Sequence, residues 1–276
     1  MTPGRGTPRR VRWPYVEWLM QSLSSRDWAI IESVARLRLV RGDQLERLHF
    51  TDLTGRSRKV MRWKVLKRLV DARVLATLDR RVGTAIRGSA KLCFALDTAG
   101  QRLMQLRANQ EGSTDKSRRP EEPGDRFVEH VLAVAELYVG LVELSRSTHT
   151  QLATFAAEPR WPDALGSRLA PDAYLKLRAG DVADHWWCEI DLGTESLPTL
   201  RQKLLAYMDF YQRGQRGPED VMPRVLLAVS TVRRRDKIQS EILTGLSPPA
   251  DRLFCLVLRS EAADFLVQEL SNNPKE

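Results

Sequence analysis

The chain has 276 residues, of which 42% are hydrophobic, and a formal net charge of +9. That length suggests two domains with buried cores of ordinary size. No apolar run approaches the roughly 18 residues of a membrane span, and no apolar signal core follows Met1-Thr2-Pro3-Gly4-Arg5-Gly6, so a soluble cytoplasmic protein with no membrane partner is expected. Cys93, Cys188 and Cys255 lie far apart in apolar runs, as reduced core thiols do, and four scattered His give no zinc spacing.

The positive charge is unevenly placed. Residues 1 to 110 hold 23 Lys and Arg against 9 Asp and Glu, whereas the remainder holds 21 against 26. A segregated basic region is the footprint of a phosphate-backbone binder, although a basic face alone also suits anionic lipids or acidic proteins. The polar run Gln110 to Gly124, with two Pro and two Gly, reads as a linker. The expected organisation is a basic arm over 1–23, a DNA-binding domain over 24–109, the linker 110–124 and a second domain over 125–276.

In the first domain, Trp28, Ile31, Val34, Ala35, Leu37 and Leu39 mark a helix from about Ser25 to Val40, capped by Ser24 or Ser25 and broken by Gly42. A short helix over Asp43 to Phe50 follows. A third, from about Gly55 to Asp71, carries Val60, Trp63, Leu66, Leu69 and Val70 as its apolar stripe, which places Trp63 in the core. Arg56, Arg58, Lys59, Arg62, Lys64, Lys67 and Arg68 crowd its other surface. Two strand candidates, Val74 to Leu78 and Lys91 to Leu96, flank a basic segment. Three helices and a basic hairpin predict a winged helix-turn-helix, whose third helix enters the major groove of double-stranded DNA. Arg58, Lys59 and Arg62 are the main expected contacts, joined by Arg56 and Lys67, with Arg80, Arg81 and Arg87 on the wing.

The second domain alternates. A periodic helix over Arg126 to Ser145 precedes a strand at Gln151 to Ala156, two acidic strands, a helix, the buried run Arg224 to Ser230, a charged helix through Ile242 and a last strand Leu253 to Leu258. The acidic strands carry the chemistry. Asp172 precedes Ala173-Tyr174-Leu175-Lys176-Leu177, and Glu189 and Asp191 end Trp186-Trp187-Cys188-Glu189-Ile190-Asp191. Carboxylates are poor strand residues, and two positions apart they share a face. Three converging carboxylates need a divalent cation or basic partners, which makes Asp172, Glu189 and Asp191 a candidate Mg²⁺ or Mn²⁺ site. The alternative is a solvated acidic strand face. Pro198 opens the next helix, on which Lys203 and Tyr207 lie one turn apart, with Tyr211 a turn further. On the first helix of this domain His130 reads as a structural hydrogen-bonder.

The order carboxylate strand, E-x-D strand, helix with Lys resembles the PD-(D/E)XK nuclease superfamily over roughly residues 125 to 260. More narrowly, Glu189-Ile190-Asp191-Leu192-Gly193-Thr194-Glu195-Ser196 with Lys203 and Tyr207, behind a basic amino-terminal half, resembles the actinobacterial replication-relaxation proteins of plasmids and mobile elements. The superfamily usually has Lys where this chain has Asp191, and Lys203 fits the variant in which that lysine sits on the next helix. The resemblance implies an α+β protein, a winged helix-turn-helix followed by an α/β nuclease-like domain. It implies metal held by Asp172, Glu189 and Asp191, with Glu136 as a helical addition, and catalysis assisted by Lys203.

Two function classes follow. One is a Mg²⁺-dependent DNA endonuclease or nicking enzyme of a plasmid or mobile element, cutting both strands where a homodimer assembles across the duplex. Within it, attack by Tyr207 or Tyr211 is the lesser variant. The other is a catalytically inactive nuclease-fold DNA-binding accessory of replication, or a transcriptional regulator. Plasmid replication or transfer proteins are the expected protein partners of either.

Overall fold

The computed structural model describes residues 11–78, 92–110, 124–159, 161–162 and 168–272. The fold is mixed α+β, and the chain divides into two units, Met1–Val128 and Glu129–Glu276.

The first unit comprises α1 (Trp13–Ser22), α2 (Ser25–Leu37), β1 (Val40–Arg41), α3 (Gly42–His49), α4 (Gly55–Asp71), β2 (Leu75–Leu78), β3 (Cys93–Leu96) and α5 (Thr98–Gln110). The three strands form one antiparallel sheet in the order β1-β3-β2. A reciprocal cap starts α2. The Ser24 hydroxyl accepts from the Asp27 backbone N–H at 3.2 Å, and the Asp27 carboxylate accepts from the Ser24 N–H at 2.9 Å. Its apolar stripe Ile30, Ile31, Val34 and Leu37 is buried, as are Leu45, Leu48, Phe50, Leu66, Leu69, Leu75 and Phe94.

Three expectations need correcting in this unit. Residues 13–22, expected as part of a basic arm, form the helix α1, and α5 follows β3 where no element is expected. The helix α2 stops at Leu37, short of the expected Val40, because Arg38 turns into positive φ (65°). Gly42 instead opens α3, where its N–H bonds the Leu92 carbonyl at 2.9 Å. The third correction concerns α4. Its buried residues are Arg62, Leu66 and Leu69, while Val60 and Trp63 are 41% and 51% exposed. The cause is Glu46 on α3, which draws two arginines inward. Arg62 Nη1 bonds its carboxylate at 2.5 Å, and Arg58 Nη2 bonds its backbone carbonyl at 3.0 Å. The helix is thereby rotated away from the alignment that apolar periodicity alone predicts.

The second unit is built on a five-stranded sheet. It contains α6 (Asp125–Ser147), which starts at the unit boundary, then β4 (Gln151–Ala157), a ribbon of β5 (Trp161–Pro162) and β6 (Arg168–Leu169), β7 (Ala173–Ala179) and β8 (Val182–Asp191). There follow α7 (Leu197–Gln212), β9 (Arg224–Val229), α8 (Val232–Glu241), α9 (Ala250–Leu253), β10 (Phe254–Leu258) and α10 (Ala262–Asn272). The strand order is β10-β9-β8-β7-β4, antiparallel from β4 through β8 and parallel from β8 to β10. Successive β8 residues alternate between faces. Trp187 packs with Tyr207 and Phe210 of α7, whereas Trp186 meets Phe265 of α10 edge-on. The α7 side is closed by Leu200, Leu204 and Met208 over Val225, Leu227 and Val229, with Ile238 of α8.

The Arg62–Glu46 pair supports one prediction about stability. Both side chains are largely buried, at 8% and 17% exposure, so removing Arg62 leaves the Glu46 carboxylate to the longer Arg58 contact at 3.4 Å. Arg62→Ala should lower the urea-unfolding free energy by about 3 kcal/mol. Lys59→Ala, on an exposed position of the same helix, should leave it within about 0.5 kcal/mol of wild type.

Candidate functional site

The site forms where β7 begins and β8 ends, which is also the carboxyl end of the parallel strands, the usual place for a ligand in sheets of this kind. Ala173 pairs with Cys188, so Asp172 comes level with Glu189. One Asp172 carboxylate oxygen accepts from the Ile190 N–H at 2.7 Å, and the other pairs with His130 Nε2 of α6 at 3.0 Å. Ser196 caps α7 by accepting from the Thr199 N–H at 3.2 Å, and Pro198 sits in its first turn. That start sets the register which turns Lys203 and Tyr207, one turn apart, toward Glu189. Tyr207 Oη donates to Glu189 Oε1, and the Lys203 ammonium is ion-paired with Oε2. Oε2 is buried against that ammonium.

Burial sets the protonation states. Glu189 is 1% exposed. Desolvation first, and the charge of Asp172 second, push its carboxyl up to about 8 against the pull of Lys203 and Tyr207. Burial likewise pushes the Tyr207 phenol well up, with Glu189 and Asp172 adding to it. For Asp172, burial works upward, but the His130 hydrogen bond and the Lys203 charge outweigh it and hold the carboxyl below its ordinary value. The hydrogen bond to Asp172 raises His130. Lys203 is raised as well: burial opposes its charge, and Glu189 and Asp172 more than restore it. The cluster is thus an anionic Asp172 flanked by cations, beside a Glu that holds its proton near neutrality.

Two of the expected residues are not in this cluster. Asp191 shares the Glu189 face but meets a different helix. Its carboxylate is clasped by Arg234 of α8 at 2.6 Å and accepts from the Gly193 N–H at 2.9 Å. Gly193 turns there at φ 80°, a conformation that favours glycine. Arg234 also bonds the Glu195 carbonyl at 2.7 Å, pinning the loop between β8 and α7. The expected convergence of three carboxylates therefore fails: two positions along a strand are about 7 Å apart, and each carboxylate faces its own crossover helix. Glu136 lies six residues beyond His130 on α6, about 120° around the helix from it. Tyr211 is 43% exposed, whereas Tyr207 is 1% exposed. Arg234 was not anticipated; the signal was a Thr-capped run of three arginines directly after a strand that pairs with an acidic one.

Among the described residues, no group of three or more His, Cys, Asp and Glu is arranged to hold a metal ion. Asp172 and Glu189 remain as two adjacent oxygen donors, with the Lys203 ammonium on Glu189 Oε2. With the Glu189 proton given up, the two carboxylates, completed by phosphate and water oxygens, would be a donor set of the kind Mg²⁺ takes.

In the first unit the outward face of α4 is strongly basic. Arg56, Lys59, Lys64 and Lys67 surround Val60 and Trp63 on one exposed stripe. Arg58 and Arg62, expected on that face, are turned inward to Glu46. Arg68 pairs with the buried Asp27 at 2.6 Å. Arg80, Arg81 and Arg87 lie outside the described residues.

The raised carboxyl of Glu189 sets a pH dependence. The folded chain keeps that proton to about 8, where the ordinary value is 4.5, so between those values it binds more protons than the unfolded chain and stability falls as pH rises. His130, also raised, acts in the same direction above its ordinary 6.5. Asp172, lowered, stabilises above 3.8 and loses that contribution only in stronger acid. The melting temperature should therefore drop from pH 6 to pH 8, and Glu189→Gln should remove much of that drop, read by calorimetry (roughly one proton per molecule at most). Equal slopes for the two proteins would count against this protonation state.

No helix among the described residues is long and apolar enough to cross a membrane. A comparison with curated proteins gave no significant match. The family model described as replication-relaxation matches residues 31–225, a span that takes in α4, Asp172, Glu189, Lys203 and Tyr207. By that match over most of its length, the chain belongs to the replication-relaxation family.

Proposed function

We propose that this protein acts on the DNA of a plasmid or mobile element in replication or relaxation, binding duplex DNA through its first unit and hydrolysing a phosphodiester bond in its second. The observation that carries the hydrolytic reading is Lys203 ion-paired on the fully buried Glu189 with Asp172 level beside it. A carboxylate pair with an ammonium at the carboxyl end of parallel strands is the constellation of the PD-(D/E)XK nucleases. The first unit, in which α2, α3 and α4 accompany a three-stranded antiparallel sheet and α4 presents an exposed basic stripe, supports a winged helix-turn-helix.

In this reading Asp172 and Glu189 would hold Mg²⁺ or Mn²⁺, which when bound supplies neutralisation of phosphate charge and an acidified water. Lys203, already charged and half-buried, is positioned to stabilise charge developing on the transferring phosphate. Tyr207 orients Glu189 through its hydroxyl. Its burial and raised pKa disfavour it as a nucleophile. His130 holds Asp172 in place.

A second reading is supported by the same cluster. Both oxygens of Asp172 have donors, and both of Glu189 face Tyr207 or Lys203. A site so fully compensated is what an inactive nuclease fold, retained in a DNA-binding accessory or regulator, would carry.

Supercoiled DNA from the element that encodes the protein separates the two. Relaxed or linear product with Mg²⁺ or Mn²⁺ and none with chelator is expected, and Lys203→Ala should reduce cleavage by on the order of 100-fold or more. Tyr207→Phe should retain much of it. Binding without cleavage under every metal condition would establish the accessory reading, and a denaturant-stable protein-DNA adduct that vanishes with Tyr207→Phe would replace hydrolysis by tyrosine attack.

A further inference from the structure

The outward face of α4 combines two properties that a solvating helix face does not need. Trp63 is 51% exposed and Val60 beside it 41% exposed, in the middle of a long helix whose opposite side is buried. Around them stand Arg56, Lys59, Lys64 and Lys67, all exposed. Of the four, Lys67 pairs with Asp71 at 2.5 Å, while Arg56, Lys59 and Lys64 make no ion pair among the described residues. Glu46 locks Arg58 and Arg62 on the inner side, so the helix is held with this stripe outward. An indole ringed by cations is poorly suited to an apolar protein partner, which would have to bury those charges unpaired. It is well suited to a polyanion that offers flat aromatic faces among its charges.

We infer that this face binds DNA whose bases are unstacked, with Trp63 stacking on an exposed base and the surrounding cations on flanking phosphates. This rests on the DNA-binding reading of α4 and adds to it the state of the DNA. In an intact duplex the base faces are covered by their neighbours, and only edges, sugars and phosphates are open to a helix. An indole at the centre of the face gains most where a step is opened, as in a single strand or at an unpaired or kinked site. Lys59 lies one turn and Arg56 two turns before Trp63, and Lys67 one turn after, so cations flank the ring along the helix axis.

Affinity for short labelled oligonucleotides, measured by fluorescence anisotropy at several salt concentrations, tests this with the full chain. The probes are an intact duplex, the same duplex with an unpaired bulge, and its single strand. Trp63→Ala should weaken binding to the bulged and single-stranded probes by about ten-fold or more and to the intact duplex far less. Its salt slope should be unchanged, since no charge is removed. Trp63→Phe should restore most of the loss. The triple variant Arg56→Ala, Lys59→Ala, Lys64→Ala should weaken all three probes and flatten the slope. If Trp63→Ala binds every probe like wild type while the triple variant is impaired, the face is electrostatic only and the stacking inference is overturned. If the triple variant also binds like wild type, the DNA-binding reading of α4 falls, and the stacking inference with it. All positions changed are exposed, so a near-ultraviolet circular dichroism spectrum like that of wild type, apart from the indole contribution, is expected.

Discussion

The second unit is organised around a carboxylate with no access to water. Glu189 sits in β8 at the middle of a five-stranded sheet and under α7, where an ionised acid without partners would be too costly to keep. The chain meets that constraint from α7, which must deliver both a hydroxyl and an ammonium to one carboxyl group. Lys203 and Tyr207 are one turn apart, and the apolar residues Leu200, Leu204 and Met208 on the neighbouring rows seal the same helix to the sheet. The cap at Ser196, the loop pinned by Arg234 and the crossover to β9 all serve to hold α7 in that register. A shift of one residue in α7 would turn the lysine and the tyrosine about 100° away from Glu189. The positioning of the site and the packing of the α7 face are therefore one requirement.

A comparable constraint acts in the first unit. Glu46 of α3 accepts from two arginines of α4, and Asp27 of α2 accepts from a third. These ion pairs tie the three helices together more specifically than their apolar residues do, since each has a required geometry. They also decide which part of a uniformly basic helix is structural and which is presented to solvent. The arginines closest to the core carry the fold, and the outer stripe of lysines, Arg56 and Trp63 is left for a partner.

Both units thus spend part of their charge internally, and net charge alone is a poor guide to which residues bind. Among the seven basic residues of α4, Arg58, Arg62 and Arg68 have acidic partners on other helices, and Lys67 pairs with Asp71 on its own. In the second unit, Asp191 has the acidic character of a metal ligand and the environment of a loop anchor. Family membership covers both regions and is silent on this division of labour.

Read alone, the sequence determined the α+β class, strands near Gln151 to Ala156 and Leu253 to Leu258, a serine-capped start of α2, and Lys203 and Tyr207 one turn apart on the helix that follows the E-x-D strand. These are local properties: strand alternation, helical spacing and caps act within a dozen residues and leave a period or a residue type behind. Tertiary structure alone decided that Asp191 belongs to Arg234, that Arg58 and Arg62 face Glu46, that Trp63 is outside and that His130 holds Asp172. Each joins residues from separate elements, and helical periodicity sees only apolar side chains. A buried arginine whose partner lies on another helix reads as a surface residue, and the tryptophan it displaces reads as core, because ion pairing across elements leaves no period in the chain.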